Sequence, residues 1–282
     1  MSDKKAIVER ERDTWAAVAD GWRRRDEVLK RGGAKVAERM IALAEIGSGM
    51  NVLDVASGTG EPAISIAQAV APDGQVVGTD LVEEMLEFAR EKAAAAKVSN
   101  IEFRCVEAEL IEFPDAYFDA ATMRWGLMFM PEPEACLQAI HRTLKPGAKI
   151  SLACWAVAER NPAFTIPTNV MRKYKEIPIP PPGTPGMYGM GEPDYFESVI
   201  AAGGFKNIHI EDCEVIMFPS ETGQQYWETI SDLAGPIRRM YDSLPSDQQQ
   251  AFVDDVSEVL DSYRTDGMIK VPGVTLIASA EC

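Results

Sequence analysis

Between Met50 and Trp155 the chain repeats one pattern: a short apolar run, a cluster of turn residues, then apolar residues at helical spacing. The runs are "NVLDVA", "QVVGTD", "IEFRCVEA", "FDAATMRW" and "AKISLACW". Helical patterns follow the first from Glu61 to Val70, with Pro62 suited to the first turn, and the second from Val82 to Ala95. A third helix, Pro133 to Leu144, carries Leu137, Ile140 and Leu144 on one face. Strands that alternate with helices of this length run parallel, because a helical crossover returns the chain to the end of the sheet where the previous strand began. The expectation is a doubly wound α/β sheet, whose ligands gather at the carboxyl ends of the strands.

The flanks extend this unit. Trp15, Val18, Ala19 and Trp22 recur at helical spacing, and Gly32-Gly33 reads as a break before a second stretch with Val36, Met40, Ile41 and Ala44. Residues 1–48 are therefore expected to form a helical cap, and 49–156 the core. Five prolines and four glycines between Pro178 and Gly191 interrupt the alternation, so 157–192 is expected to be an acceptor-side loop. The core resumes over 193–219, with a helix from Pro193 to Ala202 and the strand "NIHIEDCEVIMF". Residues 220–268 read as a helical lid inserted before a last strand, 269–282, which contains "GVTLIASAE".

The formal charge of −16, from 44 acidic against 28 basic residues, opposes binding to nucleic acid or to an anionic membrane surface. The charged N-terminus lacks the apolar core of a signal peptide, and no run approaches the about 20 apolar residues that span a bilayer. A cytoplasmic location without membrane insertion is expected. The five cysteines are scattered with no C-x-x-C pair, which favours free thiols, and two histidines are too few for a histidine metal cluster.

The stretch "LDVASGTGEPA", from Leu53 to Ala63, sets Gly58 and Gly60 between strand and helix. Glycine there lets backbone amides approach a ligand at a helix N-terminus. Asp80, twenty residues beyond Gly60, ends the second strand where a carboxylate can accept from both hydroxyls of a ribose. Together they point to an adenosine-containing ligand. Asp54 inside the first strand, giving D-x-x-x-G-x-G, counts against a nicotinamide cofactor, since a pyrophosphate calls for no carboxylate at that point.

With "VEAELIEFPDAYFD" after the third strand and "LKPGAKI" before the fifth, this ordered set resembles the class I S-adenosylmethionine-dependent methyltransferases, in particular the ubiquinone and menaquinone C-methylase branch. The resemblance implies a Rossmann-like, seven-stranded, mostly parallel sheet with helices on both faces, an N-terminal cap and a helical lid before the last strand. It implies S-adenosyl-L-methionine as cofactor, S-adenosyl-L-homocysteine as product, and a small molecule as methyl acceptor. By this match Asp54, Ala56, Ser57, Gly58 and Gly60 hold the methionyl end, Asp80 and Leu81 the ribose and adenine, and Glu107 and Ala108 the adenine edge, with Thr59 and Glu109 also among the cofactor-binding residues. The family more often has aspartate where Glu107 stands. Arg124 and Trp125, ending the fourth strand with Gly126, would pass close to the transferred methyl. Met85 is placed to pack on adenine, and Trp22 to close over the cofactor.

Methyl transfer from an activated sulfonium needs alignment and exclusion of water, and needs a base only where the acceptor must lose a proton. Glu61 and Tyr188 are candidate bases without a ranking, His141 and His209 read as structural, and no catalytic residue is assigned. The acceptor pocket is expected from Met128, Trp155, Met187, Tyr188, Trp227 and Met240, whose aromatics and flexible thioethers suit a hydrophobic or aromatic small molecule. A protein that binds the cofactor without transferring methyl, and less favoured a nicotinamide-dependent oxidoreductase, stand as alternatives. The oligomeric state is not legible.

Overall fold

The computed structural model describes residues 2–177 and 184–282. Residues 178–183, at the heart of the expected acceptor-side loop, lie outside the described residues. Seven strands form one sheet: β1 (Asn51–Val55), β2 (Gln75–Asp80), β3 (Ile101–Cys105), β4 (Phe118–Arg124), β5 (Leu144–Trp155), β6 (Lys206–Val215) and β7 (Gly273–Glu281). Their order is β3-β2-β1-β4-β5-β7-β6, with every pair parallel except those of β7, which runs antiparallel to both neighbours. The sheet is α/β and mostly parallel, as the alternation requires. The strand order reverses between β1 and β4, so their carboxyl ends part and leave a crevice.

Alternate residues of the central strands feed two buried clusters. Val52 and Ala120 pack with α4 (Ala63–Val70) and α5 (Glu83–Ala95), whereas Leu53, Val55, Ala121 and Met123 join the larger core. A sheet covered on both faces explains why its strands read as near-continuous apolar runs. Helices α6 (Pro133–Thr143) and α8 (Pro193–Ala202) complete the layers.

Before β1 come α1 (Ser2–Ala16), α2 (Ala19–Arg24) and α3 (Asp26–Leu43). The expected break at Gly32-Gly33 is absent, since α3 runs through both glycines. Their role is close approach: a Cβ on Gly32 would lie 2.5 Å from the Met217 carbonyl oxygen, and one on Gly33 2.5 Å from Arg124 Nη1. The real breaks fall at Ala17-Val18 and at Arg25.

A second correction concerns 157–192, which is not one long loop. Helix α7 (Pro162–Met171) occupies its first half, opened by Pro162 at a helix start where the missing N–H costs nothing. Asn161 anchors it: its side-chain amide donates to the carbonyls of Ala156 at 2.9 Å and Val274 at 3.1 Å and accepts from the Val274 amide at 3.0 Å. Between β6 and β7 lie α9 (Gly223–Leu233), α10 (Gly235–Asp242) and α11 (Ser246–Asp261), followed by a small hairpin that pairs Arg264–Thr265 with Met268–Ile269. The Thr222 hydroxyl caps α9 by accepting from the Gln225 amide at 3.1 Å. Among the described residues, no helix is long and apolar enough to cross a membrane.

Candidate functional site

The turn after β1 is built from backbone geometry that few side chains tolerate. Ala56, Gly58 and Gly60 have φ of +56°, +51° and +97°. A Cβ on Gly58 would meet nothing within 4 Å, so the turn presents open backbone. The Ser57 amide donates to the Thr79 carbonyl at 2.8 Å, and the Gly60 amide to the Ser57 carbonyl at 2.8 Å, which ties the turn to β2. Asp80 completes the tie. Its Oδ2 accepts from the Gly58 amide at 2.8 Å and its Oδ1 from the Val82 amide at 3.0 Å, bridging the turn and the start of α5. Burial raises the pKa of this carboxyl from its ordinary value, against the pull of the Val82, Gly58 and Leu81 amides.

Asp54 lies beneath the turn, fully buried. The register of β1 on β4 sets Thr122 opposite, and its hydroxyl donates to Asp54 Oδ1 at 2.5 Å. Oδ2 has no hydrogen-bond partner among the described residues. Burial raises the pKa of Asp54 to about 6, only partly offset by the Thr122 hydrogen bond.

A cavity opens at the carboxyl ends of the central strands. Ala56, Ser57, Gly58, Thr59, Asp80, Leu81, Met85, Glu107, Ala108 and Glu109 line one end. Two buried oxygens there, Thr79 Oγ1 and Glu109 Oε1, find no hydrogen-bond partner among the described residues, and both residues face the cavity. Such orphans are rare unless a ligand or water satisfies them. Burial also raises the pKa of Glu109 and of Glu11, which reaches the cavity from α1. Glu107 Oε1 accepts from Arg12 Nη2 at 3.2 Å, tying α1 to the third strand's end.

Aromatic rings line the other end. Trp125 has φ of +58°, an uncommon conformation for a bulky residue and one that collects at functional sites. Its ring stacks on Trp155 with centroids 4.7 Å apart and planes 12° from parallel, and its Nε1 donates to Thr275 Oγ1 at 2.9 Å. Phe164 of α7 meets Trp155 edge-on at 4.7 Å. Met128 and Met187 line this end beside Phe129, Phe218, Ile230 and Leu233. Trp22 lies between the cap and α9, its Nε1 donating to the Leu233 carbonyl at 3.3 Å.

Nearly all the residues expected at the adenosyl end thus share one cavity with Trp22, Trp125, Met128, Trp155 and Met187. Asp54 and Gly60 support its floor without lining it. Three expected acceptor residues are elsewhere. Trp227 is buried against Tyr241 and Phe252, at 4.9 and 4.8 Å; Met240 packs on the main core; and Tyr188 is not in the lining, its phenol pKa raised by burial. Neither histidine reaches the cavity: His141 packs on Phe205, and His209 is exposed beside Glu211. Sequence reasoning missed Glu11, Trp15, Leu29, Phe164, Ile230 and Leu233, which come from α1, α3, α7 and α9. Trp15 and Leu29 carried a signal, since each fits the apolar face of its helix.

The family described as methyltransferase domain matches residues 46–190, the span from just before β1 to just before α8. The chain belongs to the methyltransferase domain family. This methyltransferase-family chain is 37% identical over 127 residues to a ubiquinone/menaquinone biosynthesis C-methyltransferase of Pseudomonas putida, covering 44% of this chain and 50% of that protein. It spans about half the length of the curated relatives it matches. Among solved structures, a putative methyltransferase from Bacillus halodurans superposes with a TM-score of 0.56 at 20% identity, covering 87% of this chain and 97% of that one. The [4+2]-cyclase SpnF superposes with a TM-score of 0.52 at 21% identity, covering 87% and 80%. These likenesses concern the fold, and a fold shared with a protein named a cyclase does not fix a reaction.

Proposed function

We propose that the chain is a cytoplasmic S-adenosylmethionine-dependent methyltransferase acting on a small hydrophobic or aromatic acceptor. The observation that carries this reading is the continuity of one cavity from the turn and Asp80 to the Trp125–Trp155 stack. When bound, the cofactor supplies a methyl group on a sulfonium sulfur. The Thr79 and Glu109 oxygens, without partners among the described residues, and the open backbone at Gly58 fit a polar ligand of this kind.

In this reading Asp80 keeps its amide partners and uses the remaining lone pairs of both oxygens for the ribose hydroxyls. Glu107 and Ala108 take the adenine edge, with Leu81 and Met85 beside it. The turn from Ala56 to Gly60 holds the methionyl end, with Asp54 fixing the strand below it. Trp125, Trp155 and Phe164 orient the acceptor, while Trp22 and Leu233 keep water from the transfer path. Similarity to proteins named for ubiquinone and menaquinone biosynthesis supports a quinone-related acceptor.

The test is transfer of labelled methyl from S-adenosylmethionine to a panel of demethylated quinols, other hydroxylated aromatics and aliphatic amines. Label in an aromatic product is the expected result. Cofactor binding with no transfer to any acceptor would make the chain a binding protein of the same fold.

A further inference from the structure

One basic side chain, Arg124, lines the cavity among its described residues, between the turn and the aromatic end. Its Nη2 donates to the Glu61 carbonyl at 2.8 Å, its Nη1 reaches the Gly33 carbonyl at a long 3.5 Å, and its Cζ lies 4.7 Å from the centroid of the Trp125 ring. Both acceptors are neutral, although guanidinium is a five-donor fork. Among the described residues no carboxylate forms an ion pair with it, and Glu61, Asp54 and Asp26 act on it only through space. Burial lowers its pKa against their pull, yet arginine stays charged. A partly buried cation with unspent donors and no anion in contact is costly to hold, and a planar fork matches an oxyanion.

We propose that Arg124 is an anion-binding residue of the cavity, receiving an anionic oxygen carried by a bound ligand. This rests on the function proposed above. The oxygen has two possible sources: the α-carboxylate of the cofactor's methionyl group, or an ionised phenol, enol or carboxylic acid of the acceptor resting on Trp125. In the second case Arg124 stabilises the acceptor after its proton has gone to solvent. The acceptor's electron pair then forms the new bond to methyl as the sulfur–methyl bond breaks, its pair returning to sulfur.

The experiment is calorimetry on the wild type and Arg124→Gln with two ligand pairs. The first is S-adenosylhomocysteine against its decarboxylated analogue; the second, with S-adenosylhomocysteine saturating, is benzoate against benzamide. A preference of about tenfold or more for the carboxylate, lost in Arg124→Gln, is expected in one pair, and which pair shows it names the source. If the glutamine variant does not fold, reduction of that preference in Arg124→Lys sustains the proposal. No preference in either pair, or one unchanged by substitution, overturns it. Failure of the wild type to bind S-adenosylhomocysteine or its analogue would instead overturn the proposed function.

Discussion

At the turn end of the cavity most of the lining comes from one continuous unit between Val55 and Glu109, held by backbone amides and one carboxylate, with Glu11 and Trp15 of α1 reaching in from the cap. At the aromatic end Leu29, Phe164 and Leu233 arrive from α3, α7 and α9 and Trp125 from the turn just after β4, and they hold together by side-chain packing across most of the chain. The first end is a local construction, in which residues near in sequence define the geometry. The second exists only when the cap and the inserted helices meet over the sheet. The cap is fastened to α9 at Asp232, whose carboxylate pairs with Arg24 and Arg25 at 2.7 Å each, and at Gly21, where a Cβ would lie 1.9 Å from the Asp232 carbonyl oxygen. Burial works against the Asp232 charge, but the two guanidiniums hold its pKa below the ordinary value.

Substitutions should therefore act on one end or on both, according to where they fall. The largest effect is expected from Asp80→Ala, which strips two backbone amides of a charged acceptor and should weaken S-adenosylhomocysteine about 100-fold by calorimetry. Benzoate or benzamide binding at the aromatic end should change by less than about threefold; an equal loss at both ends would break the comparison.

Next comes Asp54, whose pKa is about 6 when folded and about 3.9 in an unfolded chain. A raised folded value means that its stabilising contribution is fully present below about pH 4 and is lost as pH rises through about 6. The wild type should lose on the order of 3 kcal/mol relative to Asp54→Asn between pH 4 and pH 7, read from denaturant unfolding. A flat difference would mean that Asp54 is not buried as described.

Gly21→Ala should cost about 2 kcal/mol, because its methyl must displace α9 backbone, and it should loosen the cap enough to expose α1 to protease. Smallest is Asp232→Asn, at about 1 kcal/mol or less for partly exposed pairs, with faster ligand release and an unchanged turn end. A loss of affinity matching that of Asp80→Ala would show that the roof, rather than the turn, holds the ligand.

The same division explains what could be read in the sequence. Alternating runs and turn residues predict β1 through β5, and the spacing from Asp54 to Asp80 finds the turn end, because these features obey neighbour-to-neighbour rules. Gly32-Gly33 misled because a glycine that breaks a helix and one that admits a neighbouring backbone look alike in sequence. The prolines near α7 concealed a helix that Pro162 begins. Trp227 shows the limit at the aromatic end: a large ring on an inserted helix can face the cavity or the core, and packing with Tyr241 and Phe252 decided for the core. Ile230 and Leu233, from the same helix, took the cavity side.

The central claim is that the turn end holds an adenosyl cofactor and the aromatic end its acceptor. A crystal structure with S-adenosylhomocysteine tests it most directly. The ribose hydroxyls should lie on the Asp80 carboxylate, the adenine beside Ala108 and the sulfur facing Trp125; a ligand bound with its ribose away from Asp80, or a cavity left empty at saturating ligand, would contradict this assignment.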